Sequence, residues 1–124
     1  MRTLRLLAGL AALAMALLAS GAAAQVGGQW DVEIAYTRDH AVHTLFFEQK
    51  GEQLMGSHRG EFLAGDVGGK VEGAKVRCRS SHHYEGTSIG YVFEGVAEGD
   101  TIRGTVDVGE YGKAPFTARR HFHA

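Results

Sequence analysis

The sequence predicts an all-β fold, an antiparallel up-and-down barrel of about eight strands, on three observations. Apolar and polar residues alternate over short runs, as in Trp30–Tyr36 and Val76–Tyr84, so that each strand presents one apolar face. Glycines separate these runs at close intervals. No stretch after Trp30 shows the 3.6-residue apolar period of a helix. A sandwich of two sheets is the alternative, but short hairpins without a long crossover favour a barrel, which has no strand edges.

The predicted strands are joined by glycine turns that repeat one pattern. In each, a glycine follows a charged residue and precedes a new alternation, at Gly51, Gly73 and Gly99. Glycine accepts the positive φ that a two-residue hairpin loop requires. Three glycines between residues 65 and 69 interrupt the fourth strand and predict a bulge or a tight bend there. The strands are expected at residues 29–37, 41–50, 53–60, 63–72, 74–85, 88–98, 101–109 and 113–121.

The amino-terminal segment has the layout of a secretory signal peptide. A basic start precedes an apolar run over residues 6–18, and small residues precede a cleavage point between Ala24 and Gln25. The apolar run is too short to span a bilayer comfortably. We therefore expect a signal peptide over 1–24 and one barrel domain over 25–124, with a mature protein that is periplasmic or secreted from a bacterium and has no membrane span.

Composition narrows the class of function. The formal net charge is −1 and basic residues form no stripe, so we expect no nucleic-acid partner. A single cysteine excludes a disulfide framework and a cysteine-based zinc site. No phosphate-binding glycine loop, nucleophile elbow or HExxH helix is present, and the sequence names neither a cofactor nor an oligomeric state. The seven histidines are the feature that could carry chemistry.

Two short motifs mark one end of the predicted barrel. Gly28-Gln29-Trp30 opens the first strand, and Arg119-Arg120 closes the last. This pair resembles the lipocalin and avidin-like barrels, and in lipocalins an arginine from the end of the barrel packs over the tryptophan of the first strand. Nearly the whole sequence after the predicted signal peptide also resembles a small bacterial β-domain. This domain occurs as an exported protein and as a C-terminal extension of some pyridoxal-phosphate enzymes. That second resemblance implies no activity, and the chain has no cofactor lysine motif.

Side-chain parity predicts a cluster of polar residues at the opposite end. In the hairpins that turn at residues 51–52, 86–87 and 99–100, alternate positions share the more apolar face, which should point inward. Histidines, tyrosines and a carboxylate fall on that face, with a second carboxylate on the rim. The predicted site residues are His43, His58, Glu61, His82, Tyr84, Tyr91 and Glu110. The expected floor beneath them is Leu45, Phe47, Leu54, Val76, Phe93, Ile102 and Val106.

These residues are compatible with several functions, which the sequence leaves open. The first interpretation is a barrel without catalysis that binds a small, partly apolar molecule. A metal site for zinc, copper or iron would use His43, His58 and His82. An isomerase or cyclase would use His58 or His82 with Glu61 or Glu110 as an acid–base pair. In a purely structural or interaction domain, the polar groups at the mouth would meet only water and one another.

Two other features are interpreted more simply. His82 and His83 are adjacent in a strand, so their side chains face opposite sides of the sheet and do not share one metal ion. Cys78 lies between two arginines, which would activate a thiol if it were exposed. It shares its face with Val76, however, and we expect it to be a small buried residue.

Overall fold

A computed structural model describes residues 22–84 and 86–122. The eight antiparallel strands of this part pair in chain order, and the last pairs with the first, which closes the barrel. The predicted fold is confirmed, and every strand end lies within two residues of its expected position. The strands are β1 (Gly28–Ala35), β2 (His40–Lys50), β3 (Gln53–Arg59), β4 (Ala64–Glu72), β5 (Lys75–Tyr84), β6 (Thr87–Glu98), β7 (Thr101–Asp107) and β8 (Lys113–Arg120). A short 3-10 helix, Gly109–Tyr111, precedes β8.

The register of the hairpins agrees with the parity read from the sequence. Leu45 on β2 lies opposite His58 on β3, and Ser80 on β5 lies opposite Tyr91 on β6. Alternate residues of each strand therefore point into the barrel, and their neighbours face solvent. Phe46 alternates with the inward Leu45 and Phe47, and it lies on the outer face, where it is 42% exposed.

Inward side chains fill the barrel between its two ends. They form one continuous core, in which aromatic and branched residues from all eight strands take part. Cys78 belongs to this core, and burial raises the pKa of its thiol to about 12, as expected for a small buried residue. The residues of the predicted floor are all buried: Leu45, Phe47, Leu54, Val76, Phe93, Ile102 and Val106.

One end of the barrel, the tryptophan end, is closed around Trp30. The indole Nε1 of this fully buried residue donates to the carbonyl of Val26 at 2.9 Å. The guanidinium of Arg120 lies 4.5 Å from the centroid of the Trp30 ring, within the range of a cation–π contact. It also donates to two backbone carbonyls of the segment before β1. The arginine–tryptophan packing that the resemblance implied is present, and it is Arg120, not the exposed Arg119, that provides it.

The segment that precedes β1 crosses the tryptophan end. The side chain of Gln49 accepts the Val26 N–H at 2.7 Å and donates to the Ala24 carbonyl at 2.8 Å. The predicted signal peptide falls mainly on residues 1–21, outside the described residues. No helix in the described part of the chain is long and apolar enough to cross a membrane.

The glycine-containing β4 has no bulge, which was one of the two features predicted there, the other being a tight bend. Its ladders with β3 and β5 run residue by residue without an insertion. A close approach of two backbones takes the place of the bulge, because a Cβ at Gly69 would lie 2.0 Å from the carbonyl oxygen of Arg77. The pairing of β4 with β5 ends at Val67–Ser80, so the first residues of β4 are bonded to β3 alone.

Candidate functional site

The end of the barrel opposite Trp30, the histidine end, is formed by the four connections β1–β2, β3–β4, β5–β6 and β7–β8. Strand parity directs three imidazoles and one phenol from the inner wall toward this end. None of these four side chains is more than 7% exposed: His43, His58, His82 and Tyr91. The convergence predicted from the sequence is confirmed for these four residues.

The three imidazoles form one hydrogen-bonded series, the histidine row, with His58 in the middle. Nδ1 of His43 lies 2.6 Å from Nε2 of His58, and Nδ1 of His58 lies 2.9 Å from Nε2 of His82. The hydroxyl of Ser80 is beside the second contact, 2.7 Å from His58 Nδ1 and 3.1 Å from His82 Nε2. The ring of Tyr91 packs edge-on against His58, with centroids 4.9 Å apart.

Two glycines create the space in which the row forms. His58 on β3 and His82 on β5 are separated by β4, where Gly65 lies opposite His58 and has no side chain to stand between the two rings. A Cβ at Gly65 would lie 2.8 Å from Nδ1 of His82. A Cβ at Gly60 would likewise lie 3.2 Å from Nε2 of His43. Each end of the row therefore lies against a glycine.

The electrostatics of the row follow from its burial. Burial, followed by the proximity of His43 and His82, lowers the pKa of His58 to about 3. Burial, followed by the proximity of His82, also lowers the pKa of His43. Burial raises the pKa of Tyr91, with a contribution from Tyr36. His43 and His58 are thus uncharged at neutral pH, and they present neutral polar atoms among aromatic rings.

The row does not offer converging nitrogens to a metal ion. His58 turns one ring nitrogen to His43 and the other to His82, so the three rings do not face a common point. The nitrogen contacts of 2.6 and 2.9 Å are also shorter than the separation of two nitrogens on one tetrahedral zinc, roughly 3.3 Å for bonds of about 2.0–2.1 Å. Over residues 22–84 and 86–122, no group of three His, Cys, Asp or Glu residues is arranged to hold a metal ion.

The other predicted site residues lie apart from the row. Glu61 is exposed on the β3–β4 connection, as expected of a rim residue. The inward placement of Glu110 was wrong: β7 ends at Asp107 and the 3-10 helix begins at Gly109, so strand alternation no longer applies and Glu110 is exposed. The side chain of Tyr84, the last residue of β5, lies outside what the structure describes.

Sequence reasoning missed two members of the site. Ser80 alternates with Cys78 and His82 on β5, so its inward position could have been read from the same parity that identified His82. Gly65 could not have been found in this way, because β3 and β4 are joined by residues 60–63 and not by a two-residue loop with a positive-φ glycine, so the connection does not set their register. Gly65 matters because it leaves room on β4 for the contact between His58 on β3 and His82 on β5.

One concave surface lies on the outside of the barrel, over β4–β7. This depression has a volume of about 730 Å³, and its rim is mostly basic. Among its charged side chains, Arg77 pairs with Glu94 at 3.2 Å. The arginines of these strands are exposed on the outer face of the sheet. The basic residues around the depression are Lys70, Lys75, Arg77, Arg79 and Arg103.

Comparison of the chain with protein-family models, with curated proteins and with solved structures gives no match in any of the three.

Proposed function

We propose that this chain is an exported β-barrel that binds a small, partly apolar molecule at its histidine end. The histidine row carries this proposal. Burial of three imidazoles requires their desolvation, which an apolar lining would avoid. Buried polar side chains, at positions where an apolar core would be expected, are typical of functional sites.

The packing of the barrel indicates where such a molecule would bind. The core side chains occupy the middle, and Trp30 with Arg120 closes the far end. The ligand would therefore bind at the connections of the histidine end, above His43 and Tyr91. Two exposed aromatic residues on these connections supply apolar surface there, Phe62 at 78% and Tyr111 at 59% exposure. The ligand would be uncharged, since neutral imidazoles provide no counter-charge.

Export is supported by the amino-terminal sequence, with its basic start, its apolar run and its small residues before Gln25. The lipocalin-like arrangement of Trp30 and Arg120 agrees with a binding barrel, although the resemblance alone names no ligand.

Native mass spectrometry of protein purified from the bacterial periplasm, without a metal-affinity step, tests both parts of this proposal. We expect a chain that begins at Gln25 and retains a small organic mass that a chelator does not remove. A mass that the chelator removes would instead support the metal alternative. The chain could also carry no added mass and bind no member of a library of neutral aromatic and alicyclic compounds. That result would contradict ligand binding and support the interaction-domain alternative.

A matched pair of variants locates the site. His43→Phe keeps a ring in the core but removes the nitrogens, and we expect it to lose the retained mass. His83→Phe is the control, because His83 is exposed on the outer face of β5. Equal retention by the two variants would place the ligand elsewhere.

A further inference from the structure

The histidine row is continuous in its hydrogen bonding from one end to the other. Its two nitrogen–nitrogen contacts, at 2.6 and 2.9 Å, use opposite ring nitrogens of His58. The Ser80 hydroxyl is a side branch that lies within 3.1 Å of both nitrogens of the second contact. A hydroxyl both donates and accepts, so Ser80 can bond to either neighbour in either proton arrangement.

Proton counting allows the neutral row only two arrangements. A neutral imidazole carries one N–H and one lone pair, and each short contact needs one proton. If His43 donates from Nδ1, then His58 accepts at Nε2 and donates from Nδ1, and the remaining proton of His82 is on its Nδ1. If the direction is reversed, His82 donates from Nε2 and His58 donates from Nε2, and His43 carries its proton on Nε2. In any other arrangement of one proton per ring, one of the two nitrogen–nitrogen contacts would hold two protons or two lone pairs.

The two ends of the row differ in their surroundings. Nε2 of His43 lies beside the Gly60 connection, in a residue that keeps 7% exposure. Nδ1 of His82 is buried and has no hydrogen-bond partner in the described part of the chain. It lies against Gly65, where β4 has already ceased to pair with β5. An unpaired buried nitrogen costs free energy, and a water or a ligand hydroxyl at this position would remove that cost.

We propose that the histidine row is a reversible proton relay between Nε2 of His43 and Nδ1 of His82. In one passage, a proton from water or from a ligand hydroxyl adds to His43 Nε2. The Nδ1 proton of His43 moves to His58 Nε2, the Nδ1 proton of His58 moves to His82 Nε2, and the Nδ1 proton of His82 leaves to a water or hydroxyl oxygen. Each ring ends neutral with one proton, and the reverse passage restores the first arrangement.

The relay also defines the class of ligand, and this part rests on the proposed function. His43 Nε2 is an acceptor in one arrangement and a donor in the other, so the same site binds a hydroxyl or a carbonyl oxygen. The low pKa values of His43 and His58 agree with neutral partners. We therefore infer that the ligands are uncharged alcohols, phenols or ketones.

Nitrogen-15 NMR of the labelled full chain at neutral pH tests the relay without a ligand. We expect couplings across both N–H···N contacts, together with ring-nitrogen shifts that give all three histidines the same proton direction. His82→Phe should change the distribution of the proton between the two nitrogens of His43, although the two residues share no hydrogen bond. Ser80→Ala keeps the direct contact and should preserve both couplings, and His83→Phe should change nothing in the row. Absence of either coupling in the unmodified protein overturns the relay, even if His82→Phe fails to fold.

Two probes then separate the relay from the binding function. Cyclohexanone only accepts hydrogen bonds and should select the arrangement with the proton on His43 Nε2, whereas phenol donates and should select the opposite one. The His82 nitrogens should respond to both probes in opposite directions. Response of His43 without His82 would overturn the relay and leave binding intact. Couplings without response to either probe would leave the relay intact and contradict the proposed function.

Discussion

At the residue scale, the two ends of the barrel are each organised around one large and fully buried side chain. Trp30 and His58 are both 0% exposed, but their surroundings differ. Trp30 packs among apolar residues beneath Arg120 and has one polar atom, which is bonded. Both nitrogens of His58 are bonded to other polar side chains. Trp30 is thus expected to contribute stability, and His58 to position its neighbours.

We expect Trp30→Ala to lower the free energy of unfolding by about 3–5 kcal/mol, because it leaves a cavity of aromatic size in the core. Urea denaturation followed by circular dichroism measures this change. Phe46→Ala is the control, since Phe46 is on the outer face and 42% exposed, and its effect should be far smaller. If the Trp30 variant had the same denaturation midpoint as the parent, Trp30 would not close this end.

At the element scale, each strand divides its residues between a core face and a solvent face, and the outer face of β4–β7 carries unbalanced charge. Lys70 on β4 lies directly opposite Arg77 on β5. Like charges in directly opposite positions of a ladder repel. The ion pair between Arg77 and Glu94 on β6 relieves only part of this repulsion, because both of its side chains are well exposed.

Lys70→Glu should stabilise the barrel by about 0.2–1 kcal/mol, since it replaces a repulsive cross-strand pair with an attractive one. Lys70→Gln removes the repulsion without adding an attraction, so its gain should be smaller. Urea denaturation at low and at high salt measures both variants, and the difference between them should shrink in high salt. A glutamate variant no more stable than the parent would show that Lys70 and Arg77 do not interact appreciably.

At the scale of the whole molecule, the histidine row couples the stability of the barrel to pH. The pKa of His58 is about 3 in the folded protein, against an ordinary value of 6.5. Between these values the unfolded chain binds a proton at His58 that the folded chain does not bind. The pKa of His43 is lowered as well, so it acts in the same direction. Stability that is fully present above pH 6.5 is therefore lost as the pH falls toward 3.

We expect the free energy of unfolding to decrease by about 1.4 kcal/mol per pH unit below 6.5 for the His58 proton, with a further decrease from His43. Denaturant titrations at a series of pH values measure the slope. His58→Phe should reduce the slope by the contribution of about one proton, whatever its effect on the free energy of unfolding at neutral pH. His40→Phe is the control, because His40 is exposed, and the same loss of slope in that variant would contradict the assignment.

Much of the barrel and part of the site could be predicted from local pattern. The alternation in β5 placed Val76, Cys78 and His82 on one face, and the glycine turn at residue 51 set the register that joins Leu45 to His58. Because successive side chains of a strand point to opposite faces, the pairing register is largely determined once one face is apolar. The same rule failed at Glu110, because parity holds only while the chain remains a strand, and β7 ends before that residue.

Local periodicity and the number of strands were sufficient to predict the all-β class, the hairpin order, the inward face and the position of Trp30 and the last arginines at one end of the barrel. The packing of an arginine on Trp30 was implied by the resemblance to lipocalins. Whether the histidines would form a row or a three-ligand metal site depended on how the strands pack in the folded barrel. That outcome depends on the side-chain space over Gly65 and on which ring nitrogens face each other, 2.6 and 2.9 Å apart. Distances of this kind arise from the coiling of three strands around the barrel, and no periodicity along one strand encodes them.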